Sequence, residues 1–274
     1  LWTPLYSMNS DPSNPADQCC IVVSSCDSYS DAWDPFLALF ARYWPDCPWP
    51  VWWISNEKRV GDPRVQTFAV GADGGWATNL SRWLDHVQPA SIIYLQEDYF
   101  LQSPVDSTRL QSVVDYALTS GAGFIRLAGS PAPDRDHDNP FGLGELSPGL
   151  KFRCSLQAAW WDVATLRQIL VAGESGWEME MAGSRRSDRL PAPFLAVRPG
   201  ESLIDYFYDT AILKGKWLPG AIDLCRREGI DVDLSNRPVH PRFPLLLKRL
   251  RKSRPVSTVR DLFRASSRTI KKAC

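Results

Sequence analysis

Ser91-Ile92-Ile93-Tyr94-Leu95-Gln96-Glu97-Asp98-Tyr99-Phe100-Leu101 is the stretch that decides how this chain is read. Its first five residues are a short, mostly apolar run, the mark of a buried strand. The run stops at a carboxylate pair, Glu97-Asp98. Open α/β sheets bind ligands beyond the carboxyl ends of their strands, so acids in that place are candidates for a site. Such a pair can hold a divalent cation that bridges a diphosphate, or bond sugar hydroxyls directly. A capping or turn role is the plain alternative.

Outward from this stretch the pattern repeats. Residues 20–25 (CIVVSS) read as another buried strand, with Asp27 just beyond it. Residues 51–54, 67–70 and 123–127 read as further short strands. Between them, residues 31–43 have helical spacing at Trp33, Phe36, Leu37 and Phe40, with Ser30 or Asp31 as cap and the Pro45 and Pro48 break after Tyr43. Residues 76–87 and 108–118 are also helical. Strand and helix alternate over 20–128, which argues an α/β fold with a mostly parallel sheet flanked by helices.

The second half is less regular. Residues 129–149 form a long polar loop with four prolines, and loops of that length in a compact domain are often functional. A strand is expected over 152–159, helices over 161–171, 177–182 and 221–229, and a strand over 194–197. No dinucleotide-binding glycine pattern, phosphate-cradling loop, serine elbow or HExxH is present.

The 274 residues are 44% hydrophobic and 23% charged, which suits a globular domain and excludes collagen, coiled coil and wholesale disorder. No apolar run approaches the roughly 18 residues of a spanning helix, and the polar start carries no signal-peptide pattern. Seven cysteines, an odd number without CxxC, read as reduced thiols in a cytosolic compartment. The twelve tryptophans read as core packing before sugar stacking.

The formal net charge of zero hides an asymmetry. Residues 241–274 hold 11 Lys/Arg against one acid, so residues 1–240 hold 20 against 30. Beyond Pro255, Val259, Phe263 and Ile270 line one face and Arg260, Arg264 and Arg268 an adjacent one. A basic amphipathic segment over 243–274 is expected to lie on an anionic membrane surface; nucleic acid is the lesser alternative. The expected organisation is a flexible arm (1–18), a domain (19–240) and this tail (241–274).

The stretches IVVSSCDSYSDAWDPF (21–36), ARYWPDCPWPVW (41–52), SIIYLQEDYFL (91–101), SLQAAWW (155–161), GWEMEMAGSRRSD (176–188) and ILKGKW (212–217) together resemble a family of bacterial glycosyltransferases of the GT-A type. The resemblance spans about residues 21–230. It implies a GT-A-like, Rossmann-like fold and sugar transfer from a nucleotide-sugar donor, of the kind linked to surface polysaccharide assembly. It implies that Asp27 and Tyr29 meet the donor's base or ribose, and that Glu97-Asp98 stand where the family has Asp-x-Asp. That departure leaves Mn or Mg on Asp98 and Glu97 open, with His240 a candidate third ligand. Glu178, with Glu180 second, stands where an acid at a helix start would be the general base of inverting transfer. Two residues apart on a helix, the two point about 200° apart.

A leaving diphosphate needs a metal or cations, for which Arg185, Arg186, Lys214 and Lys216 are the candidates. Arg153, Gln157 and Trp177 are candidates for the acceptor or sugar pocket; for Arg153 and Gln157 a core or ladder role is the stronger expectation. Cys26, beside Asp27, is not expected to be a nucleophile. The expected function is transfer of a sugar to a hydroxyl of a lipid-linked or polysaccharide acceptor, on the cytoplasmic face of a membrane. The alternatives are a non-catalytic membrane-surface scaffold and a nucleic-acid-modifying transferase.

Overall fold

The computed structural model describes residues 19–207 and 210–241. The arm over 1–18 and the basic segment over 243–274 lie outside the described residues.

β1 (Cys19–Ser24) is the central element, buried along its whole length. It pairs in parallel with β2 (Val51–Ser55) on one side and β4 (Ser91–Gln96) on the other, and β2 pairs in parallel with β3 (Val65–Ala69). β8 (Ala159–Asp162) then runs antiparallel to both β4 and β5 (Phe124–Arg126). β5 pairs in parallel with β9 (Phe194–Ala196), and a small hairpin of β6 (Arg135–Asp136) and β7 (Gly144–Glu145) finishes the edge. The order is β3-β2-β1-β4-β8-β5-β9-β7-β6. This is the mostly parallel sheet flanked by helices that the alternation implied, in the Rossmann-like form that the resemblance implied.

Because side chains alternate across a strand, β1 feeds two cores. Cys19, Ile21 and Val23 face one with α1 (Trp33–Tyr43), α3 (Ser107–Ser120) and α7 (Pro219–Arg227). Cys20 and Val22 face the other with α2 (Trp76–Val87) and α4 (Val163–Ile169). Burial on both faces is why these strands read as continuous apolar runs. Trp33, Trp44, Trp49, Trp53, Trp83, Trp160, Trp161 and Trp217 are buried, as core packing requires. The thiols of Cys19, Cys20, Cys47, Cys154 and Cys225 are buried and free.

The first half follows the sequence pattern within a residue or two at most ends. One difference is the entry to α1, where residues 27–32 form a 3₁₀ turn, so the helix begins at Trp33 behind Ala32 and neither Ser30 nor Asp31 caps it. The second half departs further. Residues 152–158 are turns and bends, and the strand begins only at Ala159. The segment is instead tied inward: the buried Arg126 guanidinium takes the Phe152 carbonyl and the Ser155 hydroxyl, and the Arg153 side chain turns in to the Leu146 and Ser187 carbonyls. The expected helix over 177–182 is α5 (Gly176–Glu178), a π turn (Met179–Gly183) and α6 (Ser184–Ser187). Among the described residues, no helix is long and apolar enough to cross a membrane.

Candidate active site

The carboxyl ends of β1 and β4 open into a cavity of about 260 Å³ lined by Ser24, Ser25, Cys26, Tyr29, Asp73, Trp76, Asn79, Gln96, Glu97 and Asp98. Each wall follows from local folding. The loop after β1 is tied to the loop after β2 by Asp27, whose carboxylate accepts from the N–H groups of Asn56 (3.0 Å), Glu57 (3.0 Å) and Lys58 (3.1 Å). Asp27 thus holds Cys26 and Tyr29 in place from behind, and it does not line the cavity.

The loop before α2 supplies the facing wall. Asp73 accepts from the N–H of Gly75 (2.9 Å) and from Nδ2 of Asn79 (2.8 Å), which hold its carboxyl below the usual range. Gly75, at φ 83°, makes the turn that an L-residue would strain to make. Trp76 donates from Nε1 to the Tyr94 hydroxyl (2.8 Å), and Gln96 donates to the same oxygen (3.0 Å). The floor is therefore a locked polar network.

Glu97 and Asp98 are 7% and 8% exposed. Burial pushes both carboxyls up, and for Glu97 the neighbouring charge of Asp98 adds to the shift. Asp98 is partly relieved by hydrogen bonding to Thr210 and Ile212, at the start of the hairpin of β10 (Ile212–Leu213) and β11 (Lys216–Trp217). The nearby cation is Arg237. It makes a two-point ion pair with Asp31 (2.9 and 3.0 Å), donates to the Ser28 carbonyl (2.7 Å) and lies over the Tyr29 ring, 4.6 Å from its centroid. Its charge also acts on Glu97 and Asp98. Burial and these acids raise the Tyr29 phenol.

Tyr29, Glu97 and Asp98 are thus brought together as the sequence suggested. The cations are not. Arg186 is engaged by Glu174 (2.9 and 2.5 Å) and the Ile169 carbonyl (2.7 Å). Arg185, Lys214 and Lys216 are exposed, the two lysines on the β10–β11 hairpin, and none of the three lines the cavity. Arg153 is 2% exposed, donates to the carbonyls of Leu146 (2.8 Å) and Ser187 (2.5 Å), and stacks on Phe194. It is an internal brace rather than a pocket residue. Trp177 is 63% exposed and meets Phe152 edge-on.

The two glutamates also separate. Glu178 closes a capping box with Ser175, and the N–H and hydroxyl of Ser175 hold its exposed carboxyl below the usual range. Glu180 is turned inward, accepts from the Leu156 N–H (2.8 Å) and is raised by burial. What separates them is Ser175, which a reading by position alone treats as a loop residue. Among the described residues, no group of three or more His, Cys, Asp or Glu side chains could hold a metal ion. The His240 ring faces the Pro241 carbonyl instead. Burial raises the Cys26 thiol, in line with an inert cysteine.

Asp73, Trp76, Asn79 and Arg237 were not singled out by the sequence. Asp73 was within reach, since it is an acid a few residues beyond a strand, as are Asp27 and Glu97. Arg237 carried no signal, because its partner Asp31 lies 206 residues away.

No family model and no curated protein matches the chain. Several solved structures are similar. A mannosyltransferase from Pyrobaculum calidifontis, in complex with GDP-Man and Mn2+, is 11% identical over 66% of this chain and 54% of its own, at a TM-score of 0.43. S. aureus TarS 1-349 in complex with UDP is 11% identical over 80% of this chain and 67% of its own, at 0.40. A mycobacterial protein is 13% identical over 81% of each chain, at 0.44. The chain thus spans about half the length of the mannosyltransferase, and function has to be argued from the site.

Proposed function

We propose that this protein is a glycosyltransferase that binds a nucleotide-sugar donor in the cavity at the carboxyl ends of β1 and β4. One observation carries the reading: a buried, mutually repelling acid pair, Glu97–Asp98, opens onto a cavity walled by Tyr29 and Trp76. A folded protein keeps such a pair at a cost in stability, and a ligand-facing role accounts for it.

The aromatic faces suit a nucleoside, and the acids suit the ribose hydroxyls or a cation carried with the diphosphate. Two hard carboxylate oxygens fit Mn or Mg, whose remaining positions phosphate and water would fill. Such an ion would neutralise the diphosphate as it leaves. Arg237 supplies a fixed positive charge beside the same acids and holds Tyr29 in place. Glu180 takes the role of general base, since an inward carboxylate with a raised pKa matches the working pH better than a capping one. In this reading the transfer is inverting, as a single general base without a covalent intermediate implies.

The acceptor in this reading is a hydroxyl of a lipid-linked or polysaccharide chain. The eleven basic residues over 241–274 would bring the enzyme to the cytoplasmic surface of an anionic membrane. Sedimentation with anionic and neutral vesicles tests that part separately.

The donor test is thermal stability with UDP, GDP, CMP, TDP and their sugars, each with and without Mn. A ligand at 100 times its dissociation constant adds about 2.7 kcal/mol, which here is about 5 °C or more. One nucleotide should stabilise the wild type and fail with Asp98→Asn. If none stabilises it, the donor site is elsewhere or absent.

A further inference from the structure

Among the described residues, Trp177 is the most exposed large hydrophobic side chain, at 63%. A single ring on a surface calls for no explanation. This one does not stand alone. Phe152 meets it edge-on, with ring centroids 6.0 Å apart, and Lys151 Nζ lies 4.9 Å from the centroid of the Phe152 ring. Both rings are held in place. Phe152 sits at φ 61°, a left-handed backbone that a bulky residue adopts only under constraint. The buried Arg126 fastens it there by donating to its carbonyl at 2.5 Å. Trp177 is the second residue of α5, whose start is fixed by the capping box of Ser175 and Glu178.

The surroundings are basic. α5, the π turn and α6 follow one another without a break, so a spacing of about four residues sets Trp177, Met181 and Arg185 along the outer side, while Met179, Gly183 and Ser187 are buried. Lys151, Arg185 and Arg189 are exposed, and among the described residues none of the three is ion-paired. The acids of this region are engaged: Glu178 by the N–H and hydroxyl of Ser175, Asp188 by the Gly149 N–H, and Glu174 by Arg186. The patch also borders the donor cavity. A Cβ on Gly176 would lie 3.8 Å from Cγ of Trp76, which lines that cavity. The described chain ends at Pro241, shortly after Arg237 on the Tyr29 wall, which faces the Trp76 wall.

We infer that Trp177, Phe152 and Lys151, with Arg185 and Arg189, form a docking surface for an anionic lipid membrane, one that seats the rim of the donor cavity on the bilayer. Such a contact goes beyond the proposed function, since it calls on neither the donor nor residues 243–274. Indole and phenyl rings settle at headgroup level, where the indole N–H is wetted and the ring is not. Lysine and arginine lay their stems along the same boundary and keep their charge in the headgroups. Each cation adds attraction to an anionic leaflet. The other occupants fit less well. A sugar stacks on a ring that closes a cleft, and Trp177 does not line the cavity. A protein partner needs roughly 800 Å² of matched surface on each side, whereas beyond the two rings this face is charged. A bilayer needs no matched shape and takes rings and cations together.

Flotation of the full chain with vesicles of phosphatidylglycerol and phosphatidylcholine in equal parts, and of phosphatidylcholine alone, tests this contact. The wild type should bind the anionic vesicles. Trp177→Ala should weaken that binding about tenfold or more, and Phe152→Ala and Lys151→Glu about threefold each. Trp177 is exposed, so its variants should melt within about 2 °C of the wild type. In vesicles whose acyl chains carry bromine, tryptophan fluorescence should be quenched. Trp177→Phe keeps an apolar ring and should bind within about threefold of the wild type, yet lose roughly half or more of the quenching. Trp2 lies outside the described residues, so the difference between these two proteins is what decides. Equal quenching in both, or unaltered binding of Trp177→Ala, would overturn the contact. A dimer that Trp177→Ala splits, or a soluble oligosaccharide that binds at Trp177 where vesicles do not, would overturn it as well. Replacing Arg260, Arg264 and Arg268 together by Gln separates this surface from the basic segment. Binding lost there and kept in Trp177→Ala leaves the segment and removes this surface; the opposite pattern removes the segment and leaves this surface. A wild type that binds no anionic vesicle removes both.

Discussion

The two halves of the sheet bury charge in opposite ways. On the β4 side, Glu97 and Asp98 are buried facing a cavity, next to each other, with carboxyls pushed up by the loss of water. On the β5 side, Arg126 is fully buried, its pKa lowered to about 10 by burial, with its nitrogens on two carbonyls and a hydroxyl. Arg153 is bonded in the same manner to Leu146 and Ser187. A buried charge saturated by fixed oxygens is architecture. A buried charge left facing open space is poised for a ligand.

The largest expected effect lies on the architectural side. Arg126→Leu strands the carbonyls of Pro131 and Phe152, at about 1–3 kcal/mol each. A fall in melting temperature of roughly 5–15 °C is expected, with Arg126→Lys intermediate. A shift under 2 °C would erase the distinction between the halves. Next is the base. Glu180→Gln should lower turnover about 100-fold, whereas Glu178→Gln should stay within a few-fold; equal losses would return the role to neither.

The acid pair gives a smaller effect with a definite sign. Folded carboxyls whose pKa is raised above the ordinary 4.5 and 3.8 hold protons more tightly than the unfolded chain does. Their contribution to stability is therefore full below those ordinary values and is lost as pH rises through the folded ones. Glu97→Gln should raise the melting temperature at pH 8 by a few degrees, leave pH 4 nearly unchanged and abolish nucleotide binding. A destabilised variant at pH 8 would mean that the charge of Glu97 is already satisfied. The smallest effect is that of Arg237→Ala. It removes the two-point pair with Asp31 and the contact on Tyr29, and should weaken nucleotide binding roughly tenfold with a melting shift of only about 2–4 °C. An equal loss in Arg237→Lys would point to the planar fork rather than the charge.

This contrast also explains what could be read from residues alone. β1, β2, β4, α2 and α3 were legible because doubly buried parallel strands and amphipathic helices write themselves as local periodicity. Glu97 and Asp98 were legible because the carboxyl end of a strand is a local address. Residues 152–158 were misread as strand because Ala158, Ala159 and Trp160 look apolar, while the conformation before them is set by Arg126 from another part of the chain. Glu178 outranked Glu180 by position alone, and only the Ser175 cap and the distant Leu156 N–H separate them. Gln157 was picked out, but its buried, unpartnered Oε1 was not visible. Arg237 was missed because an ion pair across 206 residues leaves no local trace.

The reversed strand β8 has a consequence for how the molecule comes apart. β3, β2, β1 and β4 come from one continuous stretch, residues 51–96 joined to 19–24, and bond to one another in parallel. β5 and β9 bond to each other, and β8 joins the two groups. Within the sheet the two groups thus meet along the four residues of β8, while both hydrophobic cores run across that seam. Amide exchange should resolve them, with β5 and β9 opening at lower free energy than β1, and with β8 amides following the weaker unit.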